Sequence, residues 1–391
     1  MTIKKTDALA GIRVLDFTST IAGPHCTRML ADLGATVFKV EPPEGDMMRS
    51  RPPLRNGASG TFAFLNAGKR SVTLDLKNPA ALEAIRKLVA TTDIVVENYR
   101  PGVMKRLGLD YDSLCKIKPD LIYCAISGYG QTGPSAELPA YAPVIHAASG
   151  FDLAHISYQP GRTRPDNSGV FFADFVTGTY AFGGIMTALN QRHTTGVGQL
   201  VDVSMQETML TMLMTEFMRA QAPYTMPSRP MFGPIATRDG FVMPAVANER
   251  TFQGLCKAAG RPDWIEDPRF KVYQNRRDNW GAFVDAFEGW SSDQSTDTVM
   301  KAFKDNGVPA SRYRTVAEAM DDPQSAHRGV RQTVTDAGGP IDIASLPFRL
   351  SKAETRARDF SPGLGEHTAE TLRSLGLDEA GIAAASKSSD G

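Results

Sequence analysis

The sequence predicts an α/β protein whose main sheet is largely parallel and wound right-handedly, followed by a smaller α+β unit. Two observations carry this. Between Ile12 and Ile126, short β-rich runs alternate with amphipathic helical runs at the spacing of strand–helix–strand crossovers. Residues 220–230 then lose periodicity and fill with Pro, Met and Ala, as a linker does, before strands and helices resume.

Ile12-Arg13-Val14-Leu15-Asp16-Phe17 reads as the first strand. Ala22-Gly23-Pro24 turns the chain into a helix over 25–33. Pro24 suits a first helical turn, where its missing N–H is no loss, and Gly34 ends the helix. Thr36-Val37-Phe38-Lys39-Val40 is the second strand. Ser71-Val72-Thr73-Leu74-Asp75-Leu76, alternating with period two, is the third. Asn78-Pro79 caps a helix whose Leu82, Ile85, Leu88 and Val89 fall on one face. Strands follow at Asp93-Ile94-Val95-Val96-Glu97 and Leu121-Ile122-Tyr123-Cys124-Ala125-Ile126.

The apolar stretch 169–173 reads as strand-like and leads into a helix over 175–191. A turn at 194–198 gives the strand Gln199-Leu200-Val201-Asp202-Val203 and a Met/Leu-rich helix over 205–218, its methionines assigned to packing. Past the linker, a strand over 240–246 and helices over 251–259 and 297–304 form the smaller unit. Strands at 332–335, 341–343 and 348–350 and a helix over 368–375 close the chain.

Forty-three basic residues balance forty-three acidic ones, which excludes a general nucleic-acid or membrane-surface binder but leaves room for a local basic cluster. Cys26, Cys115, Cys124 and Cys256 form no CxxC pair and no zinc spacing, so reduced thiols and no metal are expected. The start of the chain lacks the apolar core of a signal peptide, and no apolar run approaches the ~20 residues that span a bilayer. The expectation is a cytoplasmic protein.

Three motifs compete to carry chemistry. Gly128-Tyr129-Gly130-Gln131-Thr132-Gly133 matches a dinucleotide fingerprint, but two prolines follow where a helix should open, so it reads as a glycine loop beside a site. No GxSxG elbow or HExxH occurs. His25 and His146, in segments bordering a cleft, read first as core or surface residues. Asp174 ends the stretch 169–173 at a helix start. It reads either as an N-cap or as a carboxylate that the helix dipole holds ionised for nucleophilic work.

Several segments, in order along nearly the whole chain, resemble the family III coenzyme A transferases. They are Leu9-Ala10-Gly11-Ile12-Arg13-Val14-Leu15-Asp16-Phe17, Ala22-Gly23-Pro24, Leu33-Gly34-Ala35-Thr36-Val37-Phe38-Lys39-Val40-Glu41-Pro42 and Asn66-Ala67-Gly68-Lys69-Arg70-Ser71. Leu74-Asp75-Leu76-Lys77, Val96-Glu97-Asn98-Tyr99-Arg100-Pro101-Gly102, the 127–134 glycine loop, the Asp174 segment, 198–204, Pro347-Phe348-Arg349 and Gly365-Glu366-His367-Thr368 complete the set. That family includes formyl-CoA:oxalate transferase, the carnitine CoA-transferases and α-methylacyl-CoA racemase.

The resemblance implies a large, nucleotide-binding-like α/β domain formed by both chain ends, 1–220 and 325–391, a linker at 221–230 and a small α+β domain at 231–324. Two such chains would interlock as a homodimer. It puts the catalytic carboxylate on Asp174, with coenzyme A as a thioester substrate rather than a tightly bound cofactor. Ala22, Leu74, Lys77, Asn98, Tyr99 and Arg106 would line its path, and backbone N–H groups at Gly128, Gly130 and Gly133 are candidate oxyanion donors. The alternatives are α-proton exchange on a 2-methylacyl-CoA and a coenzyme A-binding subunit without turnover.

Pro42 and Pro139 stand where formyl-CoA transferase contacts coenzyme A through basic residues, and the glycine run of that enzyme is missing around Phe232-Gly233-Pro234. Formyl-CoA and oxalate are therefore not carried over. Tyr141 stands where the racemases have a histidine, which favours transfer, with His146 a few residues on. Arg51, Arg162 and Arg164 are candidates to pair with a second carboxylate.

Overall fold

The computed structural model describes residues 6–159, 161–222 and 231–388. Most of the expected linker, 223–230, and the last three residues lie outside the described residues. Among those described, one compact unit falls within Met1–Asp152, Asn167–Met214 and Pro323–Gly391, the other within Leu153–Asp166 and Thr215–Asp322. The smaller unit thus takes in Leu153–Asp166, which the sequence reading leaves in the large domain.

The larger unit is built on six parallel strands: β1 (Arg13–Asp16), β2 (Thr36–Glu41), β3 (Arg70–Thr73), β4 (Ile94–Glu97), β5 (Ile122–Ser127) and β6 (Gln199–Ser204). Their order is β3-β2-β1-β4-β5-β6. Helices α1 (Ala22–Asp32), α2 (Gly60–Asn66), α3 (Pro79–Val89), α4 (Val103–Leu107), α5 (Ala142–Ala148), α6 (Phe172–Thr195) and α7 (Met205–Met212) belong to the same unit.

Neighbouring strand residues point to opposite faces, and both faces are covered. Leu15, Phe38, Val72, Val95 and Tyr123 pack with Ile85 and Leu88 of α3 and with Leu372 and Ile382 near the chain's end. Val14, Val37, Val96, Cys124 and Ile126 pack with Cys26 and Leu30 of α1 and Ala181, Ile185 and Leu189 of α6. Burial on both faces is why these strands read as continuous apolar runs.

Strand order reverses between β1 and β4. Connections leaving these two strands go to opposite sides of the sheet, so a crevice opens beyond their carboxyl ends. The fold thereby fixes where a ligand site lies before any side chain is considered.

Several element boundaries differ from the sequence reading. Helix α1 starts at Ala22 rather than 25, because Gly23 and Pro24 are both tolerated in a first turn. Helix α6 starts at Phe172, so the supposed end of a strand is helical; a short apolar run cannot be told from a buried helical turn by periodicity. The methionine-rich helix breaks at Leu213, with Met205 and Met209 buried and Met212 and Met214 exposed. No strand forms at 348–350, whereas Arg331–Asp336 and Gly339–Ala344 pair as a hairpin.

The smaller unit holds a three-stranded antiparallel sheet of Ile235–Thr237, Gly240–Pro244 and Ala310–Arg312. Its core is aromatic, with Trp264, Phe270, Trp280, Phe283, Phe287 and Phe303 in one cluster. Among the described residues, no helix is long and apolar enough to cross a membrane.

Helices α1 and α6 meet at a glycine. A Cβ on Gly178 would stand 2.4 Å from the carbonyl oxygen of Ala22, inside any real contact distance. One helical turn before Gly178 is Asp174, so this close approach sets the carboxylate against the start of α1. Gly178→Ala is expected to cost about 1–3 kcal/mol in denaturant unfolding, through overpacking against backbone that cannot yield.

Candidate active site

The turn between β1 and α1 is pinned from several sides. Asp16, at the end of β1, is fully buried and accepts from the amide and hydroxyl of Thr18 and from the hydroxyl of Thr27. Lys69 is also fully buried, and its three ammonium protons are matched by three acceptors: Asp16 Oδ2 at 3.1 Å, the Pro24 carbonyl at 3.1 Å and Asn66 Oδ1 at 2.8 Å. Lys39, buried as deeply, donates to the Thr18 carbonyl at 2.8 Å and to Asp46 at 2.9 Å.

Burial raises the cost of charge on Asp16, yet Lys69 and Lys39 together with the hydroxyls of Thr18 and Thr27 hold its carboxyl below its ordinary value. Burial takes Lys69 down to about 8, with Asp16 opposing. Asn98 closes the turn from the β4 side: its side-chain oxygen accepts from Ser19 N and its amide donates to Ser19 O, both at 2.9 Å.

So constrained, Thr20 adopts φ +69°. A β-branched residue resists this region, and such strain persists only where neighbours over-determine it. Nothing in the sequence flags Thr20, yet it lines both clefts described next.

Asp174 lies in the first turn of α6 but is not its N-cap, which is Phe171 and makes no side-chain cap. The capping acceptor comes instead from α5, where buried His146 takes the amide proton of Ala173 on Nε2 at 3.1 Å. The ring packs on Phe151 and Phe172, with centroids 5.1 and 6.3 Å away. Burial depresses the His146 pKa, Asp152 acting weakly the other way, and the acceptor role requires a neutral ring with its proton on Nδ1. His25, on α1, is likewise pushed down to about 4 by burial, with Arg28 and Lys69 adding, and lies edge-on to Phe175.

With the cap supplied elsewhere, the Asp174 carboxylate accepts no hydrogen bond and forms no ion pair among the described residues. It is half-buried, and burial pushes its pKa up to about 6. The helix dipole does not keep it at the ordinary value, although about nine-tenths of it remains ionised at pH 7.

Two clefts share Asp174. The first, at the strand-order reversal, is lined by Ser19, Thr20, Ala22, Asn98, Tyr99, Arg100, Gly128, Tyr141 and neighbours. The second, on the other flank, is lined mainly by Ile21, Met48, Phe64, Leu65, Phe171 and Phe175, with Thr20, Arg51 and Tyr141. A third depression, lined by Pro42, Pro43, Leu74, Lys77 and Leu107, also includes Tyr99 and so adjoins the first.

Ala22, Asn98, Tyr99 and Gly128 are therefore brought together with Asp174, while Leu74 and Lys77 share the adjoining depression. Three expected residues lie outside these clefts. Arg106 is exposed on α4, one residue before Leu107, and lines none of these clefts. Gly130 sits in a turn at φ +90° that Asp202 ties down through the amide of Gln131; neither it nor Gly133 lines the Asp174 clefts. Gly128 serves close packing too, since a Cβ there would lie 2.3 Å from Ala140 Cβ.

The chain belongs to CoA-transferase family III, whose family model matches residues 9–368. It is 34% identical to succinate–glutarate CoA-transferase of Agrobacterium fabrum, across 94% of this chain and 95% of that one. To acetyl-CoA:oxalate CoA-transferase of Acetobacter aceti it is 35% identical, across 95% and 96%. A crystal structure of a CAIB/BAIF family protein from Brucella suis superposes with a TM-score of 0.83 at 34% identity, covering 95% of this chain and all of that one.

The raised pKa has a consequence for stability. Between the unfolded value near 4 and the folded value near 6, the native state binds more protons, so stability falls as pH rises through that window. Asp174→Asn removes this penalty. The variant is expected to be about 1–2 kcal/mol more stable than the parent at pH 7–8, discounted for partial exposure, with the gain vanishing by pH 4 in unfolding titrations.

Proposed function

We propose that the enzyme transfers coenzyme A from an acyl-CoA to a carboxylic acid, with Asp174 as the covalent nucleophile. The observation that carries the proposal is an unpaired, half-buried carboxylate on two clefts at the crevice of a doubly wound sheet. A carboxylate that serves only structure would be capped or ion-paired; this one keeps its lone pairs free.

The Asp174 oxygen attacks the thioester carbonyl and expels coenzyme A thiolate, giving a mixed anhydride. The thiolate then attacks the aspartyl carbonyl, releasing the donor acid and leaving an aspartyl-CoA thioester. The acceptor carboxylate attacks that thioester, and the returning thiolate attacks the acceptor carbonyl of the new anhydride. The acceptor leaves as its CoA ester and Asp174 is restored. One difficult exchange becomes four acyl transfers, each with a good leaving group.

Tyr99, common to the Asp174 cleft and the depression holding Leu74 and Lys77, supports a path for the pantetheine arm between them. Arg100 lines the Asp174 cleft and Lys77 the depression, so both place positive charge along the path the phosphates would take. An interlocked homodimer, with no membrane or nucleic-acid partner and a cytoplasmic location, belongs to the same proposal. The dicarboxylic acids named for the relatives above support dicarboxylic acids as the exchange partners here.

Alpha-proton exchange needs acid and base on both sides of one carbon. No histidine lines either Asp174 cleft, and His146 spends its acceptor nitrogen on the start of α6. This favours transfer.

Incubation with succinyl-CoA followed by hydroxylamine or borohydride trapping is expected to modify Asp174, read by peptide mass spectrometry. Asp174→Ala should abolish turnover while leaving coenzyme A binding largely intact. Turnover by that variant, or α-deuterium exchange without a trapped aspartate, would overturn the proposal. In the parent enzyme kcat/KM should fall about tenfold per pH unit below pH 6, as the nucleophile takes up its proton.

A further inference from the structure

We infer that Arg51 selects dicarboxylic acids by pairing with the carboxylate remote from the reacting one. The inference rests on the transferase reading above. The second cleft has a volume of about 590 Å³, and among the described residues its only charged lining residues are Arg51 and Asp174. Between them the walls are apolar, from Ile21, Met48, Phe64, Leu65 and Phe175, and suit a methylene chain.

Arg51 is the arginine of its segment left uncommitted. Arg49 grips both oxygens of Glu41 at 2.7 Å, and Arg55 grips both oxygens of Asp336 at 3.0 Å. The Arg51 guanidinium is exposed and makes no hydrogen bond or ion pair with any described residue, Asp174 included. Its backbone is nonetheless fixed, donating to Met48 O at 3.3 Å and accepting from Ser59 Oγ at 2.7 Å. Arg162, by contrast, is paired with Asp166 in the smaller unit, to which Arg164 also belongs.

A monocarboxylic substrate placed on Asp174 would leave Arg51 without an anion. A dicarboxylate satisfies both ends: one carboxyl exchanges coenzyme A, and the other takes the planar guanidinium fork. The fork also offsets the repulsion between the remote carboxylate and Asp174.

The test compares glutarate with monomethyl glutarate as acceptors for the full-length enzyme, with saturating succinyl-CoA or butyryl-CoA as donor. These acceptors match in length and differ in the remote charge. The parent enzyme is expected to favour glutarate. Arg51→Gln should shrink the kcat/KM ratio between the two acids roughly 10- to 100-fold, through a raised KM for glutarate, the range for losing a hydrogen-bonded charge partner. Arg51→Lys, which keeps the charge but not the fork, should restore part of the ratio and shows that the fold survives substitution. An unchanged ratio in Arg51→Gln, or equal transfer to both acids by the parent, would overturn the role of Arg51 alone. Transfer to neither acid from either donor would overturn the transferase reading beneath it.

Discussion

Lys69 holds the carboxyl end of the sheet together. Its ammonium has no water to turn to, so its three protons must find protein oxygens, and they find the end of β1, the first turn of α1 and the side chain of Asn66. Removing one partner of such a buried pair costs about 3–5 kcal/mol, because the other charge is stranded. That penalty gives the chain one acceptable path between Asp16 and Pro24. Lys39 and Asn98 then fix Thr18 and Ser19 within it, and the strained φ of Thr20 follows from what its neighbours demand.

The site grows outward from this turn. Helix α6 can approach only where it carries glycine, at Gly178 against the Ala22 carbonyl, and the approach brings Asp174 to the crevice between β1 and β4. The first turn of a helix normally needs a side-chain cap, and a nearby aspartate would serve. Here His146 supplies the acceptor from another helix, and the aspartate stays unpaired at the expense of stability. Strain at Thr20 and an uncompensated carboxylate at Asp174 sit side by side, in the place where a reacting group must be reactive rather than satisfied.

Much of the fold was legible because a parallel sheet buries both faces, so its strands appear as apolar runs between turn residues. Positions fixed by distant partners were not. The capping of α6 depends on His146, 28 residues before Asp174, and no local pattern reveals it. Asp174 itself stood out as a carboxylate at a helix start, but whether it was capped or free depended on that long-range contact. The positive φ of Thr20 has no signal in a threonine. Arg106 lies on the exposed side of α4 and Gly130 in a turn held by Asp202, and spacing alone does not say where either falls relative to a cleft. Arg51 looked like Arg162 in sequence, and only the pairing of one and the isolation of the other separate them.

The central claim is that an oxygen of Asp174 is consumed and replaced in every cycle. A single turnover with an acceptor acid labelled with 18O in its carboxyl group tests it directly, by mass analysis of the peptide containing Asp174. In the sequence of steps above, one acceptor oxygen remains on the restored carboxylate, so the peptide should gain a single heavy oxygen for each acyl-CoA formed. An unlabelled peptide alongside a full yield of product would contradict it.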